Sequence, residues 1–98
     1  MKVEWLDAAL DDMERISDFI ARDNLTAAAQ LERRIREATA LLGDQPGLGR
    51  PGRVGHTREL ILTPYIVPYH VRGPAVEILA VIDGRRDGIA EIIAGRRS

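Results

Sequence analysis

The chain contains no cysteine. That removes disulfide staples, thiolate nucleophiles and thiolate metal ligands together, and it fits a reducing compartment. Histidine is almost as scarce, with only His56 and His70, and no carboxylate stands beside either at a metal-ligand spacing. Neither a metal nor any other cofactor is therefore expected. Serine occurs only at positions 17 and 98, too little for a Ser-His-Asp arrangement, and the glycines around Gly47-Leu48-Gly49 neither follow a strand nor open a helix, as a phosphate-cradling loop would. Long apolar runs are missing too. The longest, Ile78 to Ile82, falls far short of a bilayer span, and Met1-Lys2-Val3-Glu4-Trp5 lacks the apolar stretch of a secretory signal. A cytoplasmic protein without membrane partners is the expectation.

Lysine is the last scarcity: of 14 basic residues only Lys2 is not arginine. Arginine's planar fork suits bidentate contacts to phosphate and carboxylate. The formal net charge of −1 hides an uneven distribution. Residues 1–48 hold six basic against ten acidic side chains, a balance of −4, and residues 49–98 hold eight against five, a balance of +3. An acidic target is accordingly sought in the C-terminal half.

At 98 residues, positions 1–98 make one domain with a modest core and a surface-borne site. Val3 and Trp5 alternate with Lys2 and Glu4, as in a short half-buried strand. Asp7 is placed to cap a helix in which Leu6, Leu10, Met13, Ile16 and Ile20 form one stripe to about Arg22, with Asp11, Asp12, Glu14, Arg15 and Asp18 on a solvated face. Asn24 caps a second helix carrying Ala28, Leu31, Ile35, Ala38 and Leu42, and Gly43 ends it in a left-handed conformation. Residues 43–56 are rich in glycine and proline and read as a loop without regular structure. Three strands follow, about Thr57–Thr63, Tyr65–Arg72 and Ala75–Ile82, joined at Pro64 and Gly73-Pro74. Pro68 cannot donate to a ladder, so its strand lies at an edge or carries a bulge. Ile89, Ile92 and Ile93 suggest a short last helix closed by Gly95. The order βααβββ with a possible C-terminal helix makes an α+β fold, a helical hairpin on one face of a small, mainly antiparallel sheet. The other face, with Ile66, Pro68, His70 and Arg72, is either a concave working surface or is covered by the loop 43–56.

Gly49-Arg50-Pro51-Gly52-Arg53, Pro64-Tyr65-Ile66-Val67-Pro68-Tyr69-His70-Val71, Val76-Glu77-Ile78-Leu79 and Gly84-Arg85-Arg86-Asp87, preceded by two amphipathic helices, resemble the ParE/RelE toxin superfamily of type II toxin–antitoxin systems, closer to the ParE branch. The resemblance runs from about Val3 to Asp87. It implies a toxin that growth tolerates only with a cognate antitoxin, and, for the ParE branch, one that poisons DNA gyrase by holding its cleaved-DNA complex. A RelE-like alternative would cut mRNA on the ribosome without a metal, and a third possibility is a non-toxic binding module of the same fold. Arg86 matches the nucleases' phosphate-stabilising arginine. Their remaining set is poorly matched: the lysine-bearing strand reads Arg58-Glu59-Leu60-Ile61, Ile66 replaces an arginine, and residues 89–93 hold no aromatic side chain. Ribonuclease chemistry would fall to Arg86, Arg58, Tyr69 and His70, whereas target capture points to Arg85, Arg86, Arg58, Tyr65 and Arg53. Phe19, Leu25 and Leu41 are the expected antitoxin contacts, unless they form the hairpin's own core.

Overall fold

The computed structural model describes residues 1–97. Its elements are β1 (Lys2–Trp5), α1 (Asp7–Ala21), α2 (Leu25–Ala40) with a 3-10 turn over Leu41–Gly43, β2 (Arg50–Pro51), β3 (Arg58–Leu62), β4 (Tyr65–Arg72), β5 (Ala75–Ile78), β6 (Ile82–Asp83) and α3 (Ile89–Arg97). The sheet runs β1-β5-β4-β3-β2, with β6 beside β4, and every pairing is antiparallel except β1 with β5. The expected α+β arrangement of a helical hairpin on a mainly antiparallel sheet is what the chain adopts.

One face of the sheet meets the hairpin. Ala9, Met13, Ile35 and Leu42 from the helical layer pack on Leu60, Val67, Tyr69, Val76 and Ile78. Against the other face lies α3, whose Ile89 and Ile93 cover Ile66, Leu79, Ala80 and Ile82, with Val54 of the loop at the margin. The second face is thus divided: α3 closes it along β6, and it stays open toward β2 and β3.

Several local expectations are corrected. Asp7 is the first helical residue rather than the cap; Leu6 takes the cap position without a side-chain bond, because its own side chain packs into both cores and its N–H donates to Ile78 O at 3.0 Å. Asp7 still favours the positive end of the helix dipole. Asn24 does cap α2, accepting from Ala27 N at 2.9 Å. Gly43 does not end that helix in a left-handed turn. It sits in the 3-10 turn, its carbonyl accepts from the Met1 ammonium at 2.5 Å, and a Cβ there would lie 2.6 Å from Met1 O, so close approach of the N-terminus is what requires glycine. The loop 43–56 is not wholly irregular, since Arg50 and Pro51 pair with Glu59 and Arg58. Gly95 lies inside α3, which continues to Arg97.

The last expected strand is split, and Pro68 explains the split. Tyr69 pairs with Ile78 and Ile66 with Ile82, so Val67 and Pro68 face Leu79, Ala80 and Val81, a bulge of one extra residue. Pro68 sits in the central strand and has no N–H to offer; its carbonyl accepts from Leu79 N at 2.9 Å, and the chain then steps away. Freed backbone groups need partners. Val81 N donates to Asp12 Oδ2 at 3.1 Å, and Leu79 O accepts from Arg96 at 3.2 Å. Asp12, assigned above to a solvated face, is therefore buried, and Arg96 of α3 pairs with it through both guanidinium nitrogens.

Candidate functional site

The open part of the second face is a shallow groove of about 340 Å³ lined by Arg50, Arg53, Ile61, Tyr65, Gly84 and Arg85, among others. Strand alternation builds it. Glu59 and Ile61 project from β3 opposite to core-facing Leu60, and Arg50, paired with Glu59, shares their side of the sheet. The turn after β6 delivers Arg85 to the margin by folding Gly84 N onto Pro64 O at 2.8 Å.

Each of these three arginines is held by a carboxylate. Glu59 is essentially fully buried, with a side chain 1% exposed, yet it receives Arg53 N, Nε and a terminal nitrogen at 3.0 Å each and Arg50 at 3.4 Å. Burial pushes the Glu59 carboxyl up, but the bonds from Arg53 and Arg50 outweigh it and leave it below its ordinary value. The same contact raises the Arg53 guanidinium. Across the groove, Asp83 accepts from Arg85 N at 2.9 Å, Nε at 3.0 Å and a terminal nitrogen at 2.7 Å. Arg85 thereby lowers the Asp83 carboxyl to about 2, so the clamp stays ionised at any physiological pH. Arg86 follows in the same turn, its N–H on Asp83 O at 3.0 Å, and its exposed side chain forms no ion pair among the described residues. Arg85, Arg53 and Tyr65 are brought together here, with Arg86 alongside.

Arg58 is not. It borders a second cavity, of about 330 Å³, with Pro51, His56, Thr57, Tyr69, His70 and Val71. Tyr69 is fully buried, its hydroxyl donates to Pro46 O at 2.7 Å and accepts from Gly49 N at 2.8 Å, and it thereby pins the loop before β2. Gly49 permits that approach, since a Cβ there would lie 2.7 Å from the tyrosine ring. His70 Nε2 lies 2.7 Å from Glu77 Oε1, its partner across β4 and β5. The conditional ribonuclease set is consequently split: Arg58, Tyr69 and His70 meet at this cavity, whereas Arg86 lies beyond the Tyr65 end of β4, an end that is itself roughly 13 Å from Tyr69 along the strand. Among the described residues no group of three His, Asp or Glu could hold a metal ion.

Phe19, Leu25 and Leu41 are 69%, 76% and 53% exposed, so they are not the hairpin's core. Phe19 and Leu25 flank the α1–α2 turn, and the Arg22 guanidinium lies 5.8 Å from the Phe19 ring centre. Leu41 is at the far end of α2, roughly 24 Å away at helical rise. The structure brings the first two together and leaves the third apart.

Sequence reasoning passed over Arg50 and Glu59. Glu59 alternates with core-facing Leu60, so its burial comes from Arg50 and Arg53, which reach it from a separate segment, and the one advance signal was the Gly-Arg-Pro-Gly-Arg spacing that delivers both.

The chain is thus a helical hairpin on a small mixed sheet whose open margin is rimmed by arginines that buried or clamped carboxylates hold. Residues 3–88 match the model of the ParE toxin of the type II toxin-antitoxin system parDE, and the chain belongs to that family. It is 41% identical over 83 residues to the toxin candidate Y4kP of Sinorhizobium fredii, covering 83% of this chain and 85% of that one. Toxin RelE2 of Caulobacter vibrioides is 28% identical over 80 residues, covering 82% and 91%. Among solved structures, a chain of the chromosomal ParDE TA system from P. aeruginosa superposes with a TM-score of 0.75 at 27% identity, covering 85% of this chain and 95% of that one.

Proposed function

We propose that this ParE-family toxin arrests growth by holding the cleaved-DNA complex of DNA gyrase at the Arg50–Arg53–Arg85 groove, with Arg86 and Tyr65 contributing. One observation carries the reading: the groove presents cations fixed in place but no group fitted to move a proton. Arginine stays charged at physiological pH, and Glu59 and Asp83 are committed to ion pairs. The lining hydroxyls of Tyr65 and Thr63 have no imidazole or amine beside them in that groove. Such a surface favours capture of an acidic target over cleavage. A cognate antitoxin partner is supported by family membership and by the ParDE neighbour. Phe19 and Leu25 supply the apolar anchor for it, and Leu41 a separate contact.

The likeness to a toxin named RelE2 keeps message cleavage on the ribosome as the competing activity. Inducing the chain alone separates the two. Gyrase-dependent double-strand breaks with intact messages are expected; codon-spaced cuts in translated messages with intact chromosomal DNA would replace the gyrase reading by the ribonuclease one. Growth without arrest, despite folded protein, would leave a non-toxic binding module.

A further inference from the structure

The cavity at the other end of β3 carries an inference of its own, independent of the gyrase reading because none of its residues lines the groove. Arg50, Arg53, Arg85 and Arg96 each face a carboxylate, whereas Arg58 has none within ion-pair distance among the described residues. Its guanidinium donates one bond, from Nη1 to Gly49 O at 2.8 Å, which orients the group without neutralising it. His56 stands beside it at φ 65°, the single non-glycine residue with positive φ among those described. That conformation is held by a tight turn: Gly52 N donates to Thr57 O at 2.8 Å, and the Thr57 hydroxyl to Val54 O at 2.6 Å. Histidine is among the non-glycine side chains that tolerate this left-handed region, so the turn can present the His56 imidazole at the cavity without a glycine.

The available donors define the ligand. Thr57 and Tyr69 hydroxyls are already bonded, and His70 Nε2 is committed to Glu77, so His70 forms a wall while Arg58 and His56 remain. A cation and an imidazole at one cavity suit an oxyanion with several acceptor oxygens. The volume of about 330 Å³ exceeds what a bare anion needs, and Pro51 and half-exposed Val71 offer apolar walls for the group that bears it. We propose that Arg58 and His56 form a binding site for a phosphate monoester, its phosphoryl group on the guanidinium and imidazole and its organic part against Pro51 and Val71. Two sources share this chemistry: a free mononucleotide and the phosphorylated end of a nucleic-acid strand.

The test is a titration of the ¹⁵N-labelled full chain with thymidine 5′-monophosphate, followed by amide and arginine side-chain NMR. Saturable shifts at Gly49, His56 and Arg58 are expected, absent with thymidine and with acetate at equal ionic strength. Arg58→Ala should weaken binding at least tenfold and Arg58→Lys less, since lysine keeps the charge but not the fork. His56→Gly should weaken it severalfold while tolerating the positive φ, which guards against loss through misfolding of the turn. A 5′-phosphorylated thymidine dodecamer that binds tighter than the mononucleotide identifies a strand end, and equal affinity identifies the free ester. Shifts of equal size with thymidine or acetate, shifts confined to the Arg50–Arg85 groove, or full binding by folded Arg58→Ala protein would each overturn the proposal.

Discussion

Among the described residues two arginine–aspartate pairs are held through two side-chain nitrogens each, and the two do opposite work, Arg15 adding a single further bond to Asp12 from solvent. Asp12 and Arg96 meet at the junction of α1, the bulge and α3, with side chains 4% and 24% exposed; Asp83 and Arg85 meet on a surface turn, at 34% and 80%. The first pair takes up backbone groups that Pro68 has expelled from the ladder and locks the C-terminal helix over Ile66 and Ile82. Breaking it leaves a buried charge and an orphan N–H. The second pair leaves its guanidinium in solvent, which screens it, so its contribution is to hold that guanidinium in one orientation. Burial decides whether identical chemistry serves the fold or faces a partner. Glu59 joins the two roles, because its carboxylate is buried while the arginines it holds are at the surface.

The largest effect should come from the interior. Asp12→Ala removes one partner of a buried pair and the acceptor of Val81 N, and should destabilise the chain by about 3–5 kcal/mol in urea denaturation. Arg96→Ala in the same background should add little, since both changes break one network. If the two single changes cost the same as remote surface substitutions, or add in full, the junction does not work as a unit.

A smaller loss is expected at Glu59, and it should depend on pH. Glu59→Gln keeps the shape but removes the charge, which should cost about 1–3 kcal/mol near neutrality. Folding lowers the Glu59 carboxyl below its ordinary value of 4.5, so its stabilisation is complete above that value and fades as pH falls through the lower folded one. Wild type and variant should therefore converge in stability as the solution is acidified below about pH 4.5. A gap that stays constant down to pH 2 would mean that packing, and not the charge, is what Glu59 supplies.

How far the sequence foretold this comparison depends on the range of the interactions. Helical stripes, the Asn24 cap and the Gly73-Pro74 turn are local signals, and they placed the hairpin and the run of β3, β4 and β5 along the chain, whereas the order of strands within the sheet rests on pairings that no local signal carries. Pro68 announced an edge or a bulge by its missing donor, and the structure chose the bulge. Asp12 could not be read, because i, i+4 patterning assigns it to the polar face and its partners, Val81 and Arg96, lie far along the chain. Gly43 and Gly95 were misread for a similar reason: one is glycine because the N-terminus crosses it, and the other lies in a helix that tertiary packing of Ile89 and Ile93 prolongs. For the candidate site, the exit arginines and Arg53 stood out in their motifs. Their division from Arg58 needed the strand register.

The exposed pair should have the smallest effect on stability and a large one on activity, which sharpens the contrast most. Arg85→Ala combined with Arg86→Ala removes two solvated side chains and leaves the Asp83 carboxylate free to hydrate, so the urea midpoint and circular dichroism should not change. Growth arrest, in contrast, should require at least about tenfold more protein, the cost of one lost charge-assisted contact to an acidic target. Asp83→Asn offers a finer cut. It spares both arginines but loosens the clamp on Arg85, so it should weaken arrest by less than the double change if orientation matters, and not at all if charge alone is read. A double variant that folds, is neutralised by its antitoxin and still arrests growth at wild-type dose would place target capture elsewhere, and Arg50 and Arg53 on their Glu59 anchor would be the next residues to replace.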